Sequence, residues 1–215
     1  MKVHVIIPAR RNSKGLPFKN RKLIDYTLRQ VPDGVHLTVT TDDEVIKENC
    51  ENSGVRVLER SSELSSDTAS IRPVMQDAVS RLNLNPEDVV VMLYLTYPGR
   101  TWKDVEGALD FMYSRDADSL LCRKSVPVHP CLMMLADGDR GRQVIEHDMY
   151  RRQDYPEAFE ISHYVCAFRV RELERLNTNM YNGNTVFYPI DDVIDVDYEK
   201  DLMRFTDPDA TSDLT

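Results

Sequence analysis

Val3-His4-Val5-Ile6-Ile7-Pro8-Ala9-Arg10-Arg11-Asn12-Ser13-Lys14-Gly15-Leu16-Pro17-Phe18-Lys19-Asn20 decides the fold. Residues 3–7 are a continuous run rich in β-branched side chains, the pattern of a strand buried on both faces in a parallel sheet. Pro8 ends the run, and a loop dense in positive charge follows. Residues 1–22 hold seven Lys and Arg and no Asp or Glu, in a chain whose formal net charge is −9. Charge alone leaves two readings of that loop even: a site for an anionic ligand, or a solvated basic face.

Working outward, the same unit recurs. A short helix is expected over 23–30 and is broken at Pro32-Asp33-Gly34. A strand follows over 35–40, then a helix over 43–52, capped by Thr41 and Asp42 and ended by Gly54. Residues 55–58 read as a third strand and 59–70 as a polar loop rich in hydroxyls. A helix over 71–82 places Val74, Ala78, Val79 and Leu82 on one face. The most apolar run, 88–95, reads as the central strand. Thr101 then caps a helix marked by Trp102, Val105, Ala108, Leu109 and Met112, and a strand follows over 119–122. This alternation predicts an α/β fold with a mostly parallel central sheet. The pattern loosens over 123–155, where Pro127, Pro130 and Gly138 signal an excursion. Strands return at 161–169 and 186–190, and a helix over 198–205 precedes a frayed tail.

The bulk numbers limit the function. With 215 residues, 41% hydrophobic and 29% charged, one domain spanning 1–215 with a real core is expected. A net negative chain lacks the broad basic surface that nucleic-acid binding requires. No run of eighteen apolar residues exists, so no membrane span is expected. Cys50, Cys122, Cys131 and Cys166 have no metal-site spacing and read as free thiols. The short N-terminal apolar run lacks the pattern of a signal peptide, and a cytoplasmic protein is expected.

In open α/β sheets, ligands bind beyond the carboxyl ends of the strands. Four loops, 8–20, 59–70, 96–101 and 191–197, are expected to meet there. The first carries Arg10, Asn12, Ser13, Lys14, Lys19 and Asn20, types that suit phosphate oxygens through charge-assisted contacts. It is neither a Walker loop nor a G-x-G-x-x-G fingerprint, so side chains rather than glycine amides would do the holding. Asp195 and Asp197 stand at i and i+2, which in extended backbone points both carboxylates to one side. That pair reads as a Mg²⁺ site bridging to substrate phosphates, or as a solvated acidic edge.

The stretch 7–20 resembles the signature of the acylneuraminate cytidylyltransferases, the CMP-sialic acid synthetases. Thr40-Thr41-Asp42-Asp43-Glu44, Arg60 with 63–70, Thr96-Tyr97-Pro98-Gly99-Arg100-Thr101, Arg151-Arg152-Gln153-Asp154-Tyr155-Pro156 and Ile194-Asp195-Val196-Asp197 follow in family order, so the resemblance spans 3–204. It implies a Rossmann-like nucleotidyltransferase with a small dimerisation arm at 123–155, acting as a homodimer. It also implies CMP transfer from CTP to the anomeric hydroxyl of a sialic-acid-like sugar acid, with release of pyrophosphate. By motif, Arg10, Asn12, Ser13, Lys14 and Lys19 would bind the triphosphate and Asn20 would lie in the same nucleotide site, with Arg10, Lys14, Lys19 and Asp197 catalytic. Arg60, Asp67 and Ala69 would face cytosine and ribose. Asp195 and Asp197 would hold Mg²⁺, and Arg152 would engage the sugar acid.

Departures from the family pattern gather on the acceptor side. Tyr94 stands where the family has Gln, Glu160 where it has Arg, Ser162 where it has Asn and Cys166 where it has Tyr. Tyr94, Arg100, Arg152, Gln153, Glu160 and Ser162 are therefore the acceptor-side candidates. Two alternatives stay open at this point: a different sugar or sugar-acid acceptor, or a non-catalytic nucleotide-binding relative.

Overall fold

The computed structural model describes residues 1–207, so the tail expected beyond the last helix lies outside the described residues. In chain order the strands are β1 (Val3–Pro8), β2 (His36–Thr41), β3 (Arg56–Glu59), β4 (Val89–Met92), β5 (Ser119–Ser125), β6 (Met134–Asp137), β7 (Arg140–Gln143), β8 (Phe159–Arg169) and β9 (Val186–Pro189). Seven form one sheet in the order β3-β2-β1-β4-β8-β5-β9, and β6-β7 stand apart as a hairpin. The apolar run expected at the centre is the middle strand, β4, buried along its length.

Strands β1 to β4 are mutually parallel, as is the β5/β9 pair. Strand β8 departs from the parallel pattern, running antiparallel to both β4 and β5. The reason lies in the connection. After β5 the chain makes the excursion that carries the hairpin and re-enters the sheet from the edge it left, so β8 must run back down. A 3₁₀ turn at Val170–Arg175 then reverses it and returns the chain upward through β9.

The helices are α1 (Lys19–Leu28), α2 (Glu44–Asn52), α3 (Ser62–Ser65), α4 (Ile71–Leu82), α5 (Trp102–Ser114) and α6 (Glu199–Thr206). Alternate residues of the central strands feed two cores. Val5, Ile7, Val89 and Val91 pack with Leu23 and Ile24 of α1, Ile46 of α2, and Val105, Ala108 and Met112 of α5. Ile6, Val90 and Met92 pack with Val74, Met75 and Ala78 of α4. Each fully buried aliphatic side chain contributes roughly 1.5–3 kcal/mol, so this three-layer stack fixes the strand ends that carry the loops.

Two helix starts differ from expectation. Helix α1 begins at Lys19 because Phe18, at φ +52°, turns the chain and its carbonyl accepts from the Arg21 and Lys22 amides. Asp43, not Thr41 or Asp42, caps α2, accepting from the Val45 amide at 3.0 Å. Thr41 instead donates to the Ala9 carbonyl, and Asp42 accepts from the Arg11 amide. Helix α5 does carry the expected Thr101 cap, closed reciprocally by Asp104.

Candidate active site

Hydrogen bonds that tie β1 to its neighbours hold the basic loop in place. Thr41 Oγ1 donates to the Ala9 carbonyl at 2.6 Å, the Arg11 amide donates to Asp42 at 2.7 Å, and Asn20 Nδ2 donates to the Arg10 carbonyl at 2.7 Å. On its far side the loop lies on the segment before α6. A methyl group at Gly15 would stand 2.4 Å from the Asp197 carbonyl oxygen, so only glycine permits this approach. Lys19 Nζ meets Asp197 Oδ1 at 2.7 Å, and Lys22 meets Glu199 at 3.2 Å.

A cleft of about 280 Å³ opens where these loops meet the end of β4. Arg10, Asn12, Ser13, Lys19, Asn20, Arg60, Asp67, Ala69 and Tyr94 all line it, with Leu64, Ile71 and Val74 as an apolar wall. Leu64 comes from the stretch that reads as a polar loop, whereas Ile71 and Val74 come from the expected helix, α4. Lys14 sits at the rim, its ammonium 3.5 Å from Asp67.

Arg60 is 7% exposed, and its Nη2 donates to the Thr40 carbonyl at 2.9 Å. Its Nε is buried without a hydrogen-bond partner. Burial pulls its pKa down to about 10, so the group stays cationic at neutral pH.

Asp195 and Asp197 flank the fully buried Val196, whose amide donates to the Thr96 carbonyl at 2.8 Å. This anchors an extended segment and turns both carboxylates away from the core, although the segment belongs to no strand. Asp195 is pushed above the usual carboxylate range, chiefly by burial and also by the charge of Asp197; hydrogen bonds from Thr96 and Tyr97 pull the other way. Thr96 and Tyr97 are thus contributors that residue-type reasoning did not single out.

The acceptor-side candidates divide. Tyr94 lines the cleft, its ring edge-on to His163 at 5.6 Å. Arg100 requires correction: it is 1% exposed and donates to the Tyr164 carbonyl at 2.7 Å and the Tyr94 carbonyl at 3.0 Å. Its guanidinium ties the chain just past β4 to the middle of β8 from within, and none of it lines the cleft. Ser162 is buried, donating to the Tyr97 hydroxyl at 3.4 Å. Glu160 pairs with Lys124 at 3.3 Å across β5 and β8. Arg152 and Gln153 are exposed in a 3₁₀ turn. None of these last four lines the cleft.

Among the described residues, no helix is long and apolar enough to cross a membrane, and all four cysteines are free and buried. The excursion carries exposed Leu132, Met133, Met134, Leu135, Val144 and Ile145.

Residues 4–98 match the sequence model described as cytidylyltransferase. An N-acylneuraminate cytidylyltransferase of Streptococcus agalactiae serotype V is 34% identical over 95% of this chain, which spans 52% of that relative's length. The chain therefore spans about half the length of the first curated relatives it matches. A post-translational flagellin modification protein B of Campylobacter coli is 27% identical, over 91% of this chain and 90% of its own. Among solved structures, a CMP:2-keto-3-deoxy-manno-octonic acid synthetase complexed with CTP superposes with a TM-score of 0.69 at 16% identity, covering 95% of this chain and 97% of its own. A cytidylyltransferase from Leptospira borgpetersenii superposes at 0.61 and 18% identity, covering 95% and 85%. At those identities the two structures share the fold.

Proposed function

The chain belongs to the cytidylyltransferase family, and we propose that it transfers CMP from CTP to the anomeric hydroxyl of a sialic-acid-like sugar acid. The observation that carries this reading is a cleft lined by the cationic loop, whose Lys19 reaches out to Asp197 of the Asp195/Asp197 pair at 2.7 Å.

Arg10, Lys14 and Lys19 neutralise the triphosphate. Arg60, a cation lining the cleft, is placed to face the base. The sugar hydroxyl oxygen attacks the α-phosphorus, the bond from that phosphorus to the bridging oxygen breaks, and pyrophosphate leaves with the electron pair. The hydroxyl proton passes to a carboxylate of the pair. Asp195, with its raised pKa, is the better acceptor. Positioning and charge neutralisation supply the rate, as in phosphoryl-type transfer generally.

The two carboxylates also suit Mg²⁺. Among the described residues no three metal-binding side chains gather into a cage, but Mg²⁺ commonly takes one or two carboxylates and completes its shell with substrate phosphates and water. Burial chiefly raises Asp195, and such a cation would relieve the smaller contribution from the Asp197 charge. When bound, the ion adds positive charge at the phosphates. The exposed apolar residues of the excursion suit contact with a second copy, and a homodimer is part of this reading.

The altered residues favour a second acceptor reading. Tyr94 lines the cleft where the family pattern has Gln, and Glu160 replaces a family Arg, so a sugar acid other than N-acetylneuraminate is the acceptor to test alongside it. The test is pyrophosphate release from CTP and Mg²⁺ across a panel of sugar acids. Release with at least one acid is expected. CTP binding without release from any of them would remove the transfer step, and equal binding of CTP, UTP, ATP and GTP would remove the cytosine assignment.

A further inference from the structure

We propose that Asp67 is an internal competitor for the phosphate site, occupying the same cations that the triphosphate needs and thereby weakening the hold on pyrophosphate. This rests on the reading of the basic loop as the triphosphate site. The resemblance places Asp67 near cytosine and ribose, but its carboxylate turns the other way. Oδ1 accepts from Arg10 Nη1 at 2.9 Å, and Oδ2 lies 3.5 Å from Lys14 Nζ. One carboxylate thus spans two cations of a loop 57 residues away in sequence.

The surroundings make this contact easy to exchange. The Asp67 side chain is 51% exposed and that of Lys14 77%, and exposed pairs of this kind are weakly held. The segment carrying Asp67 follows α3, a helix of four residues with none buried. Little packing therefore opposes its movement. A polyphosphate brings several charges to the same guanidinium and ammonium, and such charge-assisted bonds are the stronger kind. The phosphates win, but every phosphate ligand must first displace Asp67. CTP has a base and ribose to offset that loss; pyrophosphate has only its charge.

The experiment compares the full chain with Asp67→Asn, which keeps the side-chain size, by titration calorimetry with inorganic pyrophosphate and then CTP in Mg²⁺. At low ionic strength Asp67→Asn should bind pyrophosphate about three- to tenfold more tightly. The gain should shrink as salt screens the competing charges, and pyrophosphate should become the stronger product inhibitor. Equal or weaker pyrophosphate binding by the variant at low salt overturns the proposal while leaving the triphosphate reading intact. Failure of the wild type to bind either ligand overturns both. A second measurement needs no variant. Pyrophosphate should speed amide hydrogen exchange over 62–70 in the wild type as the tether is released, and slowed or unchanged exchange there also overturns the proposal.

Discussion

The basic loop and the region around β5 and β8 use the same residue types in opposite ways. On the side of the basic loop, Arg10, Lys14 and Lys19 reach across to Asp67 and Asp197 on distant loops, and most of these groups remain open to solvent. On the side of β5 and β8, charges close on near neighbours or on the backbone. Glu160 meets Lys124, Arg123 meets Glu157, and Arg100 is consumed by two carbonyls. Long-range pairs between loops can be exchanged for a ligand; a buried guanidinium held by two backbone carbonyls cannot. Charge at a sheet edge therefore marks a site only when it bridges separate loops and stays accessible.

The strongest test of this contrast is Asp197→Asn. On the open side it should lower kcat about 1000-fold, roughly 4 kcal/mol in the barrier, with little change in unfolding midpoint. Near-normal turnover at saturating Mg²⁺ would show that the acidic pair is only a solvated edge. On the closed side, Arg100→Ala should destabilise the fold by about 3 kcal/mol in urea titration, because two buried carbonyls lose their donor and a void remains. CTP affinity of the folded fraction should stay within about twofold, a change of about 0.4 kcal/mol or less. A loss of affinity without loss of stability would put Arg100 back among the ligand contacts.

Smaller effects sharpen the comparison. Lys19→Ala should weaken CTP binding about 10- to 30-fold, the range of a charge-assisted hydrogen bond. Lys47→Ala, whose ammonium pairs with Glu59 and Glu44 on the surface, should leave it unchanged. Equal effects would mean that the basic loop is not the phosphate site. The smallest signal is in acid. Burial pushes Asp43 and Asp104 up, but the stronger combined pull of their hydrogen bonds and paired cations holds both below the ordinary value of 3.8. A depressed carboxylate stabilises the fold above that value, and the contribution fades as pH falls below it. Asp43→Asn and Asp104→Asn should each flatten the acid limb of the stability curve, measured by thermal unfolding from neutral pH down to about 2. An unchanged limb would remove these carboxylates as the anchors of the two sides.

Local patterns carried much of this into the sequence. Val89 to Met92 could be placed at the sheet centre because an unbroken apolar run is stable only where both faces are covered. Gly54 marked the end of α2 because a left-handed residue past a helix, here at φ +71°, favours glycine. Asp195 and Asp197 share a side because the extended chain repeats every second residue, with Val196 between them committed to the core. Other features had no local signature. Nothing within 159–169 states its direction, and Arg60 and Arg100 look alike until one is found at the cleft and the other beneath it.

What the sequence by itself determined is the strands and helices other than α3, β6 and β7, the cationic loop after β1 and the paired carboxylates before α6, because each follows from periodicity or charge within a few residues. Only the tertiary structure decided the reversed course of β8, the burial of Arg100 and the partner of Asp67. These depend on which loops the sheet brings together. Asp67 and Arg10 lie 57 residues apart and Lys19 and Asp197 lie 178 apart. Charge pairs act over a few ångströms of space, and their separation along the chain does not set that distance.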